Sequence, residues 1–108
     1  MSVIHITSEQ EFQEKVVQFT GLSIVDFRAE RCGPCRMPGP IMEQLAEENA
    51  SKQIQIIKVN VDENPEVSAK YGIRNIPTVI FLKNGEIKDK VVGAVPKSTL
   101  AAKLDALL

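Results

Sequence analysis

Cys32 and Cys35 are the only cysteines of the chain, and Gly33-Pro34 is all that separates them. A pair so spaced serves one of three chemistries: metal ligation, a structural cross-link, or reversible thiol–disulfide exchange. Zinc takes about four protein ligands in a structural site and about three in a catalytic one. His5, far off near the start of the chain, is the only thiol or imidazole donor besides the two cysteines, so ligand count argues against zinc and no metal is expected. A staple is equally weak, because so short a loop restrains the unfolded chain little. Redox chemistry is the remaining reading, and its physics is specific. A cysteine just before a helix has its sulfur near unpaired amides and the positive end of the helix dipole, which favours thiolate over thiol. Cys32 holds that position. Cys35, one turn further in, is set back and shielded, and Pro34 with the short loop keeps the two sulfurs within bonding reach.

The elements that must position this pair can be read along the chain. Val3 to Ile6 reads as a short first strand. Ser8 and Glu11 fit a capping box, after which Phe12, Val16 and Phe19 share a helical face until Gly21. Leu22 to Ala29 is the strand that delivers the cysteines, with Leu22, Ile24 and Asp26 on one face by alternation. An aspartate amid such neighbours is anomalous. From Gly33 to about Ala50 the pattern is helical, with Met37, Ile41 and Leu45 on one stripe and Met42 and Ala46 beside it. Pro38 and Pro40 each remove an amide donor, which predicts a kink between Met37 and Ile41.

Ile54 to Val61 has apolar residues on both faces, as a covered strand requires, and so places Lys58 on a strand that reads as buried. A short helix follows from Pro65 to Tyr71, then the strand Thr78 to Lys83, a hairpin at Asn84-Gly85, and a strand from Glu86 to Gly93. Lys88, Asp89 and Lys90 suit an exposed edge. Leu100, Leu104, Leu107 and Leu108, with Ala101, mark a C-terminal helix, and Met37, Met42 and Tyr71 read as packing residues. The order βαβαβαββα predicts an α/β fold in which the first three strands are parallel and the last two antiparallel.

Composition limits the function. The 108 residues, 44% hydrophobic and 25% charged, fit one ordinary globular domain spanning 1–108. Thirteen basic residues stand against 14 acidic ones, a net charge of -1, which argues against nucleic acid and against a membrane surface as partners. No apolar run approaches a membrane span, and the N-terminal stretch lacks the basic start and apolar segment of a secretory signal. Cytoplasmic location is the resulting expectation.

The combination of strand, CGPC, kinked helix, KVNVDENP, KYGIRNIPT, the FLKNG hairpin and a late Gly93 resembles the thioredoxin family over nearly the whole chain. The resemblance implies a thioredoxin fold, a mixed five-stranded sheet of order 1-3-2-4-5 flanked by four helices. It also implies roles. Cys32 would be the attacking thiolate that forms a mixed disulfide with a substrate protein, and Cys35 would resolve it. Asp26 matches the family's buried carboxylate, thought to help deprotonate the resolving cysteine, and Lys58 the lysine near it; whether the two are coupled is left open. Pro77 matches the family's cis-proline, with Asn75 and Ile76 before it presenting backbone to an extended substrate. Gly33, Pro34, Val92 and Gly93 would complete a flat apolar docking surface. No bound cofactor is implied. NADPH would be used only indirectly, through a thioredoxin reductase that re-reduces the pair, and the protein would act as a monomer on disulfide-containing proteins.

Two positions depart from the family pattern. Where tryptophan is usual the chain has Arg28 and Arg31, and it contains no tryptophan at all. A large apolar plate beside Cys32 is thereby lost, and two cations are gained. If Arg31 faces the thiolate, Cys32 titrates below the usual value of the family and the pair becomes more oxidising; alternatively Arg31 points to water or pairs with Glu30. Arg28 is expected to pair with Asp62. The competing functional class is a docking or subunit module with incidental redox activity, and an oxidant or isomerase is disfavoured by Gly-Pro between the cysteines.

Overall fold

The structure is a computed structural model and describes residues 3–108. Its strands are β1 (Val3–His5), β2 (Leu22–Arg28), β3 (Ile54–Asn60), β4 (Thr78–Lys83) and β5 (Glu86–Val92). They form one mixed sheet in the order β1-β3-β2-β4-β5. β2 lies at the centre, parallel to β3 and antiparallel to β4. The helices are α1 (Glu9–Phe12), α2 (Pro38–Glu48), α3 (Pro65–Lys70) and α4 (Lys97–Leu107). Each strand ends within a residue or so of where its hydrophobic run stops.

Alternation along β2 divides the core in two. Leu22 and Ile24 face α2 and α4, packing with Met42, Leu45, Ile56, Phe81, Leu100 and Leu104. Val25 and Phe27 face α1 and α3, packing with Phe12, Val16, Ile57, Val67 and Ile80. On that second face Tyr71 lies across the rings of Phe12 and Phe27, at centroid distances of 5.3 and 6.2 Å. Among the described residues no helix is long and apolar enough to cross a membrane.

Local chemistry sets the ends of these elements. The Ser8 hydroxyl accepts from the Glu11 amide at 3.1 Å, and the Glu11 carboxylate reaches back to the Thr7 amide at 2.6 Å, one residue earlier than the usual capping box. α1 then widens without a break into a π-helical segment, Gln13–Val17, which was not legible from a face of Phe12 and Val16 alone. Asn84 and Gly85 have φ of 54° and 79°, the pair of positive angles that a tight hairpin turn needs. β5 is an edge strand. Across from it Phe81 pairs with Asp89 and Leu82 with Ile87, so Lys88 is the extra residue of a bulge.

Two expectations need correction. The helix after the cysteines is not of one type: a 3₁₀ turn over Pro34–Arg36 passes through Met37, whose backbone is itself helical, into α2 from Pro38. Pro38 thus sits at the first helical position, where an amide would have no partner in any case. Met37, expected on the apolar stripe, is instead 52% exposed, because at 3.6 residues per turn it lies off the buried face formed by Pro38, Gly39, Met42, Leu45 and Ala46. At the far end, Leu100 and Leu104 are buried but Leu108 lies past α4 and is exposed.

Candidate active site

The end of β2 turns at Ala29, whose carbonyl accepts from the Cys32 amide at 3.2 Å, and this turn sets Cys32 ahead of the 3₁₀ segment. Cys32 and Cys35 are joined in a disulfide, their Cα atoms 5.3 Å apart. Their environments differ. Cys32 is partly exposed, while Cys35 is buried beneath the turn. An outside thiol or disulfide therefore meets Cys32 first.

A second segment closes over the pair. The Ile76–Pro77 peptide is cis, and the Ile76 carbonyl oxygen stands 3.8 Å from Cys32 Sγ. The segment is fixed on both sides: the Thr78 hydroxyl donates to the Asn75 carbonyl at 2.6 Å, and the Gly93 amide donates to the Pro77 carbonyl at 2.8 Å. Thr78 also faces Val92 across the β4–β5 ladder. Gly33, Pro34, Asn75 and Val92 are exposed, and Ile76 and Gly93 are partly so. A Cβ at Gly33 would touch nothing within 4 Å, so the approach to the cysteines is open on that side. Pro77 itself is buried.

Behind Cys35 lies a cleft of about 310 Å³, lined by Cys35, Asp26, Lys58, Gly39 and Pro40 and, toward its mouth, by His5, Arg28, Glu30 and Arg36. The strands explain this grouping. Asp26 is in register with Lys58 on β3, and Lys58 with His5 on β1, so three polar side chains cross the sheet in one row. Asp26 is 1% exposed, and neither of its carboxylate oxygens accepts a hydrogen bond from the protein. Burial pushes its carboxyl up to about 6; Lys58 and then Arg28 act through space in the opposite direction. Its proton affinity thus lies closer to neutrality than that of an ordinary carboxyl, in a cleft that Cys35 also lines.

The two arginines have other partners than the sequence led one to expect. Arg31, not Arg28, holds Asp62, with Nε donating to Oδ2 at 3.0 Å and Nη2 to Oδ1 at 3.1 Å. Arg28 instead pairs with Glu30, Nη1 to Oε1 at 3.0 Å. The reason is alternation: Arg28 lies two residues after Asp26 and so points to the α2 side of the sheet, into the mouth of the cleft. The same rule could have found it. His5 was missed as a cleft residue because cross-strand register is not written in one strand, and Glu30 and Arg36 because they lie in the turns beyond β2, where alternation gives no direction. Among the described residues no three His, Cys, Asp or Glu side chains converge as a metal site.

This fold and this cysteine site are those of a thiol–disulfide exchange protein. The thioredoxin family profile matches residues 3–106, and the chain belongs to that family. It is 47% identical to Thioredoxin 1 of Synechococcus elongatus over 105 residues, 97% of each chain. It is 48% identical to a thioredoxin of Pyropia yezoensis, covering 97% of this chain and 96% of that one. It is 49% identical to the chloroplastic M-type thioredoxin of Pisum sativum over 102 residues, 94% of this chain and 59% of that one. The protein is accordingly a protein-disulfide oxidoreductase that works by dithiol–disulfide exchange.

Proposed function

We propose that the protein works mainly in the reducing direction, opening disulfides of other proteins, and that an NADPH-dependent thioredoxin reductase restores its dithiol. The observation that supports exchange through Cys32 is the unequal exposure of the two sulfurs; Gly33-Pro34 between them, which resembles the reducing members of the family, supports the direction. The Cys32 thiolate attacks one sulfur of the substrate disulfide, and the electron pair leaves on the other sulfur, which takes up a proton. Cys35 then loses its proton, attacks Cys32 Sγ, and expels the second substrate sulfur as a thiolate, which is protonated in turn. The substrate gains two electrons and two protons, and the Cys32–Cys35 bond, the state described above, is the product.

Asp26 is the proton acceptor for Cys35 in this reading, because it lines the same cleft and binds protons near neutrality. Substrate backbone would lie along Asn75-Ile76, over the surface of Gly33, Pro34, Val92 and Gly93. A reducing compartment such as the cytosol suits this direction of exchange. The test is insulin reduction with NADPH and thioredoxin reductase, comparing the parent with Cys32→Ser. Turnover in the parent and none in the variant is expected. Equal rates, or no NADPH consumption by the parent, would overturn the reading in favour of a docking module.

A further inference from the structure

The cleft behind Cys35 holds more charge than proton transfer from one thiol requires. Arg28 follows Asp26 by two residues on β2, so both side chains stand on the same face of the sheet, their Cα atoms about 7 Å apart. The Arg28 side chain is 20% exposed, so water screens it only in part, whereas its partner Glu30 is 81% exposed. Both line the Asp26 cleft. With His5, Lys58, Asn60 and the further acid Glu63 they also line a second groove that shares these residues with the first. The other charged or titratable groups facing Asp26 are Lys58 from β3, His5 from β1, and Cys35 and Arg36 from the 3₁₀ turn; α2 contributes only Gly39 and Pro40.

We propose that the Arg28–Glu30 pair sets the pH at which Asp26 accepts the Cys35 proton, with Arg28 as a positioning residue whose field Glu30 holds in check. This rests on reading Asp26 as the proton acceptor. The Arg28 guanidinium favours the Asp26 carboxylate, and the Glu30 carboxylate, 3.0 Å from that guanidinium, brings the opposite charge to the same cleft. Removing the arginine leaves Glu30 without its hydrogen-bonded partner, with Arg36 alone acting on it through space. Removing Glu30 releases the full effect of the arginine. The two substitutions therefore act on Asp26 in opposite directions, which loss of packing cannot do.

The experiment titrates the Asp26 carboxyl carbon by NMR in the oxidised, aspartate-labelled protein and in Arg28→Gln, Arg28→Lys and Glu30→Gln. In parallel, each reduced protein is mixed with Ellman's reagent, and the second release of thionitrobenzoate, the Cys35 step, is followed against pH. Arg28→Gln should raise the Asp26 midpoint by roughly half a pH unit, Glu30→Gln should lower it by less, and Arg28→Lys should stay near the parent. The midpoint of the second release should move with it in each case. Asp26 midpoints that stay put, or that move the same way in Arg28→Gln and Glu30→Gln, overturn the link between the pair and Asp26. If the carboxyl midpoints move as stated while the second-release profile does not, it is the role of Asp26 that fails, and the proposal with it.

Discussion

The guanidinium of Arg31 and the carboxylate of Asp62 meet edge to edge, two parallel hydrogen bonds tying the residue before Cys32 to the turn after β3. Such a fork is the geometry in which arginine binds a carboxylate best. Asp62 holds the Arg31 proton more firmly than an isolated guanidinium would hold its own. The positive charge on the residue before Cys32 is therefore accompanied by a negative one.

Asp62→Asn should lower the Cys32 midpoint, because it leaves Arg31 unopposed near the thiolate. Arg31→Gln should raise it, because Asp62 is then left alone. Thiolate ultraviolet absorbance of the reduced protein across pH reads both. A rise on Asp62→Asn would falsify this electrostatic account of the rim.

Asp26 makes folding stability depend on pH. Its carboxyl binds a proton with a midpoint of about 6 in the folded chain, against an ordinary 3.8. The folded state thus holds the proton more tightly, and stability rises as pH falls through about 6 toward 3.8. Above that window the buried carboxylate is destabilising. Asp26→Asn removes the charge at nearly constant volume, so the oxidised variant should exceed the parent by on the order of 2–3 kcal/mol at about pH 8. The gain should vanish below roughly pH 4. Urea unfolding at both values checks this, and equal stability at the higher pH would rule it out.

Lys58 reaches over Gly39. A Cβ on Gly39 would stand 3.3 Å from Lys58 Nζ and 3.7 Å from Cε, close enough to displace a flexible ammonium but not to unfold the helix. Gly39→Ala should therefore raise the Asp26 midpoint slightly, and Lys58→Gln should raise it further than either Gly39→Ala or Arg28→Gln. Carboxyl-carbon titration orders the three. A Lys58→Gln midpoint at or below that of the parent would show that the lysine exerts its charge elsewhere.

Val92 is the large apolar side chain at the open edge of the site, 53% exposed and paired across the ladder with Thr78. Val92→Asp should weaken reduction of a protein disulfide by about tenfold in kcat/KM, the equivalent of roughly 1.4 kcal/mol of docking energy. Reaction with a small disulfide, which needs no docking surface, should be unchanged. Equal losses for both substrates would place the effect on the cysteines rather than on docking.

Much of this was legible because apolar alternation and turn chemistry act locally. The run from Leu22 shows both the central strand and the anomaly of Asp26 within it, and Asn84-Gly85 announces its hairpin. The strand order came from the resemblance to thioredoxins, since nothing local says that β3 slips between β1 and β2. Partners at long range were the hard part. Arg28 and Arg31 are alike in type and three residues apart, yet the pleat sends one into the cleft and the turn sends the other to Asp62. Pro38 and Pro40 told of a disturbed helix without telling its form, because proline suits the start of a new helix as well as it breaks an old one.

The change from 3₁₀ turn to α-helix at Pro38 separates two regions that differ in backbone bonding. The turn carrying Cys35 is closed by two backbone bonds, Arg36 to Gly33 at 3.1 Å and Met37 to Pro34 at 3.2 Å, and the prolines at 38 and 40 supply no amide to join it to α2. Amide-exchange protection should therefore be low across the turn and recover within α2, where Met42 and Leu45 are anchored in the sheet. The cysteines can separate and rejoin once per catalytic cycle while the helix below them keeps its grip on the protein.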